Sequence, residues 1–246
     1  MCTSCGCQET GSIPVTETVS VRAGLLEEND HVARHNREHF LSHGVLVVNL
    51  MSSPGAGKTS LLEQTIDALG ARYGIGVIEG DLATENDAER IRSRGVPAVQ
   101  ITTGNACHLD ATMIHAALHE LDLDAIDILF VENVGNLVCP AAFDLGQDFN
   151  VVLLSTPEGD DKPGKYPVMF RAADLILISK SDLLPYLTDF STNRAAAYLK
   201  DIGVDVPVKV VSIESHSALA GWLEWLEDAV RERAPAVGAS VRSAAG

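Results

Sequence analysis

Residues 52–60, Ser-Ser-Pro-Gly-Ala-Gly-Lys-Thr-Ser, carry two glycines, a lysine and a hydroxyl at the spacing that cradles phosphate. The usual pattern is Gly, four residues, then Gly-Lys-Ser/Thr. Gly57-Lys58-Thr59 fits it, and Ser52 stands where the first Gly would be. Gly55 and Gly57 let the backbone approach the phosphates closely. Successive N–H groups of Gly55, Ala56, Gly57, Lys58, Thr59 and Ser60 then face the ligand from a helix N-terminus. Lys58 reaches the β and γ phosphates, and the Thr59 hydroxyl binds Mg²⁺. The bland alternative is a Gly-rich strand–helix turn. The apolar run before the loop and the helical pattern after it favour phosphate.

Two acids fall at strand ends on the loop's edge of the sheet, Asp81 and Glu132. Carboxylates there hold Mg²⁺ directly or through water, and surface acids are common enough that either alone says little. Lys58, Asp81 and Glu132 are therefore the candidate catalytic groups, with Asp81 the candidate activator of the attacking water. Further along, Ser179-Lys180-Ser181-Asp182 follows an apolar run. Guanine-binding GTPases carry Asn/Thr-Lys-x-Asp at this point. A carboxylate at Asp182 accepts from guanine N1–H and N2–H₂ but meets a lone pair on adenine N1, worth about 1–3 kcal/mol of discrimination. The Lys180 stem packs along the base. These residues point to GTP and GDP, with Ser179 the departure from the pattern. A plain helix N-terminus with Asp182 in its first turn is the competing reading.

The cysteines imply a second chemistry. Cys2, Cys5 and Cys7 form Cys-x-x-Cys-x-Cys in a polar stretch with nothing to pack against. With the chain's amine they make an S₃N set that Zn²⁺ takes as a tetrahedron and Ni²⁺ as a square plane. A redox Cys-x-x-Cys is the competitor. Cys107-His108 and Cys139 follow other strands on the nucleotide edge, and residue type alone leaves them open between buried thiols and metal ligands. His31, His35, His39 and His43 recur every four residues along a helix. Neighbouring pairs at that spacing share a face and can chelate, but a solvated polar face is the favoured reading.

Positioning these groups requires alternating strands and helices. Apolar runs at 45–50, 76–79, 98–101, 128–131, 151–154, 175–178 and 208–211 read as strands. Helical patterns lie at 61–69, 85–94, 109–121 and 217–233. That alternation predicts an α/β fold, a mainly parallel central sheet flanked by helices on both faces, with the site outside the carboxyl ends of the strands. Residues 1–20 read as a flexible metal-binding leader and 21–43 as a helix opening a domain that runs to 233. Residues 234–246, rich in Ala, Gly, Ser and Pro, read as a disordered tail.

Composition narrows the partners. Lys plus Arg is 18 against 34 Asp plus Glu, a formal charge of −16. Such a surface repels phosphate backbones, so nucleic acid is not expected as a partner. No signal-peptide pattern or run long enough for membrane insertion occurs, and a cytoplasmic protein is expected. There the reducing poise favours thiols over disulfides.

Taken together, the motifs resemble one family, the hydrogenase nickel-incorporation GTPases known as HypB. The resemblance covers nearly the whole chain. It includes the N-terminal cysteines, the loop at 52–59, Glu79-Gly80-Asp81, Thr103-Gly104 through Asp110, and Glu132 through Pro140. It also includes Glu158-Gly159-Asp160-Asp161-Lys162-Pro163 and Lys180 through Pro185. It implies a slow GTPase that homodimerises on GTP binding and helps load nickel into [NiFe] hydrogenase. It implies a HypA-type nickel accessory protein as partner, and the hydrogenase large subunit as a direct or indirect one. By resemblance, Cys2, Cys5 and Cys7 match a tight nickel site. Cys107, His108 and Cys139 match a weaker Ni²⁺ or Zn²⁺ site at the dimer interface, and Leu183 and Leu187 match dimer contacts. Urease nickel-delivery GTPases share the loop but fit less well with the thiolate cluster and Val138-Cys139-Pro140. A metal-storage protein with vestigial nucleotide binding is the alternative from another class.

Overall fold

A computed structural model of the chain describes residues 15–81, 86–104 and 106–243, with side chains at 24–81, 86–104, 106–215 and 217–233. Seven strands form one sheet: β1 Leu46–Ser52, β2 Ile75–Asp81, β3 Ala98–Thr102, β4 Ile128–Glu132, β5 Phe149–Ser155, β6 Leu175–Ser179 and β7 Val208–Val210. Their order is β3-β2-β4-β1-β5-β6-β7, and every pairing is parallel. All seven were expected from their apolar runs. The central strands are buried on both faces, which continuous runs of Val, Ile and Leu satisfy.

The helices are α1 Val15–His43, α2 Lys58–Leu69, α3 Asn86–Arg92, α4 Ala111–Leu118, α5 Lys162–Lys165, α6 Pro167–Arg171, α7 Thr192–Asp201 and α8 His216–Ser243. Alternation along β1 divides the core. Leu46, Val48 and Leu50 face a cluster with Leu62 and Ile66 of α2 and Trp222 and Leu226 of α8. Val45 and Val47 join Phe40 of α1 and Ile114 and Leu118 of α4 in a second cluster. Met51 belongs to a third, with Phe170 of α6 and Leu199 of α7. Each fully buried side chain of this size contributes about 1.5–3 kcal/mol. Inside the first cluster, Trp222 Nε1 donates to Thr65 Oγ1 at 2.9 Å, so the indole is buried with its one donor satisfied.

The short helices α5 and α6 were not anticipated, and three longer helices also differ from the sequence reading. Helix α1 starts at Val15, inside the stretch expected to be a leader, because no breaker separates 15–20 from the rest. Helix α8 continues past 233 to Ser243 into the expected tail; alanine favours helix as readily as it occurs in linkers. Helix α7 was not anticipated. It buries only Ala195 and Leu199, too thin a stripe to register, although its cap was visible: Ser191 Oγ accepts from Arg194 N at 3.4 Å. Among the described residues no helix is long and apolar enough to cross a membrane.

Candidate nucleotide and metal sites

Helix α2 opens directly after the glycine loop. Gly55 and Gly57 sit at φ +75° and +99°, a region other residues enter only with strain. No side chain caps α2, so its first N–H groups face the cleft. The cleft has a volume of about 450 Å³; Gly55, Gly57, Lys58, Thr59, Ser60, Asp81 and Glu132 line it. Lys58 Nζ lies 3.2 Å from Ser52 Oγ and 4.0 Å from Glu132 Oε1. The residue that departs from the usual glycine thus holds the lysine at the mouth of β1. Ala56 does not line this cleft; its side chain is buried in the core beneath the loop.

Thr59 and Glu132, both expected to hold Mg²⁺, meet directly: Thr59 Oγ1 donates to Glu132 Oε1 at 2.9 Å. Glu79 of β2 is the register partner of Glu132 on β4, so the two carboxyls stand side by side. Oxygens of Glu79, Asp87 and Glu132 all lie within 4.8 Å of one another. Asp81, half-buried, lines the same cleft outside that group. Glu79 Oε2 and Glu132 Oε2 are shielded from solvent with no hydrogen-bond partner. Burial, then the neighbouring Glu132, pushes the Glu79 carboxyl up to about 8; burial also lifts Glu132 to about 7, against the pull of Lys58. Hard oxygen donors in that state fit a divalent cation. Sequence reasoning placed Glu79 in a motif but gave it and Asp87 no role. The available signal was an acid inside an otherwise apolar buried strand.

The base motif closes the loop from behind. Lys180 adopts a left-handed conformation, φ +58°, and its Nζ donates to Gly55 O at 2.7 Å. Buried Ser179 donates from Oγ to Ala56 O at 2.8 Å. Beside them Ala56, Gly57, Leu61, Lys180, Ser212 and Ile213 line a small, mostly apolar pocket. Asp182 is exposed at its rim, where its Oδ1 accepts from Ser212 Oγ at 2.5 Å.

The metal candidates also converge. Atoms of Cys107, His108 and Cys139 lie within 4.8 Å of one another. The two Sγ atoms are 2.7 Å apart, and the pair forms no disulfide. His108 stacks on Phe143 at 3.9 Å between centroids. Burial lowers its pKa despite the nearby Asp110, which favours the neutral imidazole that ligates metal. Cys2, Cys5 and Cys7 lie outside the described residues. Leu183 is half-buried, and Leu187 packs against the third core cluster.

Comparison with known proteins accords with this geometry. Residues 46–208 match the family model "CobW/HypB/UreG, nucleotide-binding domain". The chain is 50% identical over 228 residues to the hydrogenase maturation factor HypB of Azotobacter vinelandii, covering 88% of this chain and 75% of that protein. It is 48% identical over 209 residues to the Escherichia coli K12 HypB, covering 85% and 72%. Among solved structures, HypB from Helicobacter pylori in complex with nickel is 42% identical, with a TM-score of 0.80 over 83% of this chain and 96% of that one. HypB from Archaeoglobus fulgidus is 38% identical, with a TM-score of 0.77 over 83% and 100%. A signal recognition particle 54 kDa protein from Aeropyrum pernix, 15% identical at a TM-score of 0.52, shares the fold alone. On this evidence the chain belongs to the hydrogenase maturation factor HypB family of P-loop nucleotide-binding proteins.

Proposed function

We propose that this protein is a GTP-hydrolysing nickel metallochaperone that helps insert nickel into [NiFe] hydrogenase, with GTP-dependent homodimerisation coupled to metal binding and transfer. The observation that carries the reading is the adjacency of two sites. A phosphate cleft and a Cys107–His108–Cys139 cluster are joined by the residue that follows Glu132, since Asn133 Oδ1 accepts the backbone N–H of Leu109 at 3.2 Å. The nickel-complexed relative supports the choice of cargo; the same set also suits Zn²⁺.

Within the cleft, Gly55–Ser60 and the open N-terminus of α2 bind the phosphates, and Lys58 moves from Ser52 to the β and γ oxygens. Lys180 and Asp182 select guanine at the rim. Thr59, Glu132 and Glu79 would hold Mg²⁺, whose charge neutralises the phosphates when it is bound. Asp81 orients the attacking water and accepts its proton. Turnover is slow and regulatory: the loop after Glu132 is ordered with GTP and relaxes with GDP, altering the metal site at Cys107, His108 and Cys139. Linkage then requires nickel to alter nucleotide affinity by the same factor. Cys2, Cys5 and Cys7 provide a further tight nickel site. A HypA-type accessory protein and the hydrogenase large subunit, directly or indirectly, receive the metal in the cytoplasm.

The test is nickel affinity and oligomeric state with GDP and with a non-hydrolysable GTP analogue. Tighter dimerisation and a changed nickel affinity with the analogue are expected. Identical values in both states would exclude the coupling.

A further inference from the structure

Helix α1 buries two asparagines where a core-facing helix ordinarily places aliphatic side chains. Asn29, Ala33, Asn36 and Phe40 recur at steps of four, three and four, so they share one face. All are buried, Asn29 6% exposed and the other three 0%. A buried amide is costly unless its polar atoms are paired. Here they are paired, and their partners lie on two segments.

The first segment leads from the Cys107–His108 pair into α4. Asn29 Oδ1 accepts from Ala111 N at 2.9 Å, and Asn36 Nδ2 donates to Ala111 O at 2.8 Å. Ala111 opens α4 three places after His108, and its N–H is one that a helix leaves without an internal partner. Asn36 Oδ1 accepts from His115 Nδ1 at 3.1 Å, one turn further on. The second segment follows the turn Cys139–Ala142. Asn29 Nδ2 donates to Asp144 O at 2.8 Å, and Asn36 Nδ2 to Leu145 O at 3.2 Å. Arg37 Nη2 donates to both carboxylate oxygens of Asp144, at 2.8 and 2.9 Å. Gly146, at φ +92°, lies so close to α1 that a Cβ would stand 2.8 Å from Ala33 O. Asp144 directly follows Phe143, the ring on which His108 stacks.

Each asparagine thus bonds to both segments at once. Through them α1 fixes the distance between the loop that carries Cys107 and His108 and the loop that carries Cys139. No α1 side chain among the described residues enters the metal cluster or lines the nucleotide cleft. We propose that Asn29, Asn36 and Arg37 are positioning residues for the Cys107–His108–Cys139 site, a clamp that sets the spacing and angle of its ligands. Partners outside the ligand set orient ligands and tune affinity in metal sites generally. Fully paired buried networks specify one arrangement. The Asn133 bond to Leu109 N holds the same segment from the nucleotide side, so α1 supplies the frame against which a nucleotide-driven shift changes the site. The inference rests on the reading of that cluster as a metal site.

Nickel titration of the full chain, with Cys2, Cys5 and Cys7 replaced by serine, tests it. Thiolate-to-nickel absorption is followed, and GDP is titrated in parallel. The variants are N29A, which removes both bonds of that amide, and R37Q, at a side chain 41% exposed and therefore tolerant of exchange. Each should weaken nickel binding by about tenfold, the low end for groups that orient a ligand, and shift the absorption, while GDP affinity stays that of the parent. R37K, which can restore one of the Asp144 bonds, should recover part of the affinity. A purely structural role would lower the unfolding temperature and leave the absorption and nickel affinity unchanged. That result would overturn the clamp, as would an equal loss for GDP. If N29A does not fold, R37Q decides alone. C107S/C139S in the same parent separates the two readings. Nickel binding that survives it would refute the metal site and the clamp with it. Binding lost there but untouched in N29A and R37Q would refute the clamp alone.

Discussion

Asn133 accepts the N–H of Leu109 at 3.2 Å, tying the end of the strand that carries Glu132 to the residue after His108. The same oxygen accepts from Val134 N at 3.0 Å, and the amide nitrogen donates to Asn49 Oδ1 at 3.2 Å. The side chain is 1% exposed, so each bond matters. Replacing Asn133 with alanine takes a partner from the N–H groups of Leu109 and Val134 and from the Asn49 amide oxygen, at a cost of about 1–3 kcal/mol for each group left unsatisfied. The thiols and His108 remain. The expected result is retained nickel binding whose response to nucleotide is weakened: the ratio of nickel affinities with GTP analogue and GDP moves toward one. An unchanged ratio in a folded N133A protein would place the coupling elsewhere.

Stability without nucleotide should fall as pH rises. Glu79 and Glu132 have folded pKa values of about 8 and about 7, against 4.5 when unperturbed. Between pH 4.5 and 8 the folded state therefore binds more protons than the unfolded chain. Their contribution is fully present below pH 4.5 and is lost toward pH 8, at about 1.4 kcal/mol per proton per pH unit at most. Urea unfolding from pH 5 to 8 should show that slope. Glu79→Gln should flatten it, and Mg²⁺ should raise stability most at the alkaline end. A flat profile in metal-free wild type would mean that both carboxyls ionise normally.

Gly135 is a second link between the sites. A Cβ there would stand 2.8 Å from Pro54 Cα and 2.9 Å from Pro54 N, both backbone. The loop after Glu132 is thus pressed against the phosphate loop, and Gly135→Ala must push them apart. Nucleotide affinity should drop by about tenfold, since 1.4 kcal/mol of displaced backbone suffices, with little change in Cys107 and Cys139. Calorimetric titration with GDP and nickel separates the two effects. Equal losses for both ligands would indicate general unfolding.

Local patterns carried most of this fold in the sequence. Buried parallel strands read as apolar runs, and the glycine loop, the base motif and the cysteines are contiguous signatures. What stayed hidden depends on register and packing. Glu79 acquires meaning only when β2 aligns it with Glu132. His115 and His119 join the histidine stripe only because α4 lies along α1. Ser52 looked like a defect in the phosphate motif until its hydroxyl was found beside Lys58. Neither strand pairing nor helix packing can be read from spacing along one chain.

Ser179 makes the corresponding case for the base motif. Its hydroxyl donates to Ala56 O and is buried, so it braces the phosphate loop and does not face the base. Ser179→Ala should therefore weaken GTP and GDP alike, by about fivefold to tenfold for one lost internal hydrogen bond, and leave the preference for guanine intact. Preference should reside in Asp182, held at the pocket rim by Ser212. Asp182→Asn exchanges an acceptor for a donor opposite the guanine N2 amino group and should shift binding toward xanthine nucleotides, whose C2 carbonyl accepts there. Competition among GTP, XTP and ATP in both variants distinguishes the roles. If S179A relaxed base selectivity while D182N kept GTP affinity, the assignments would have to be exchanged.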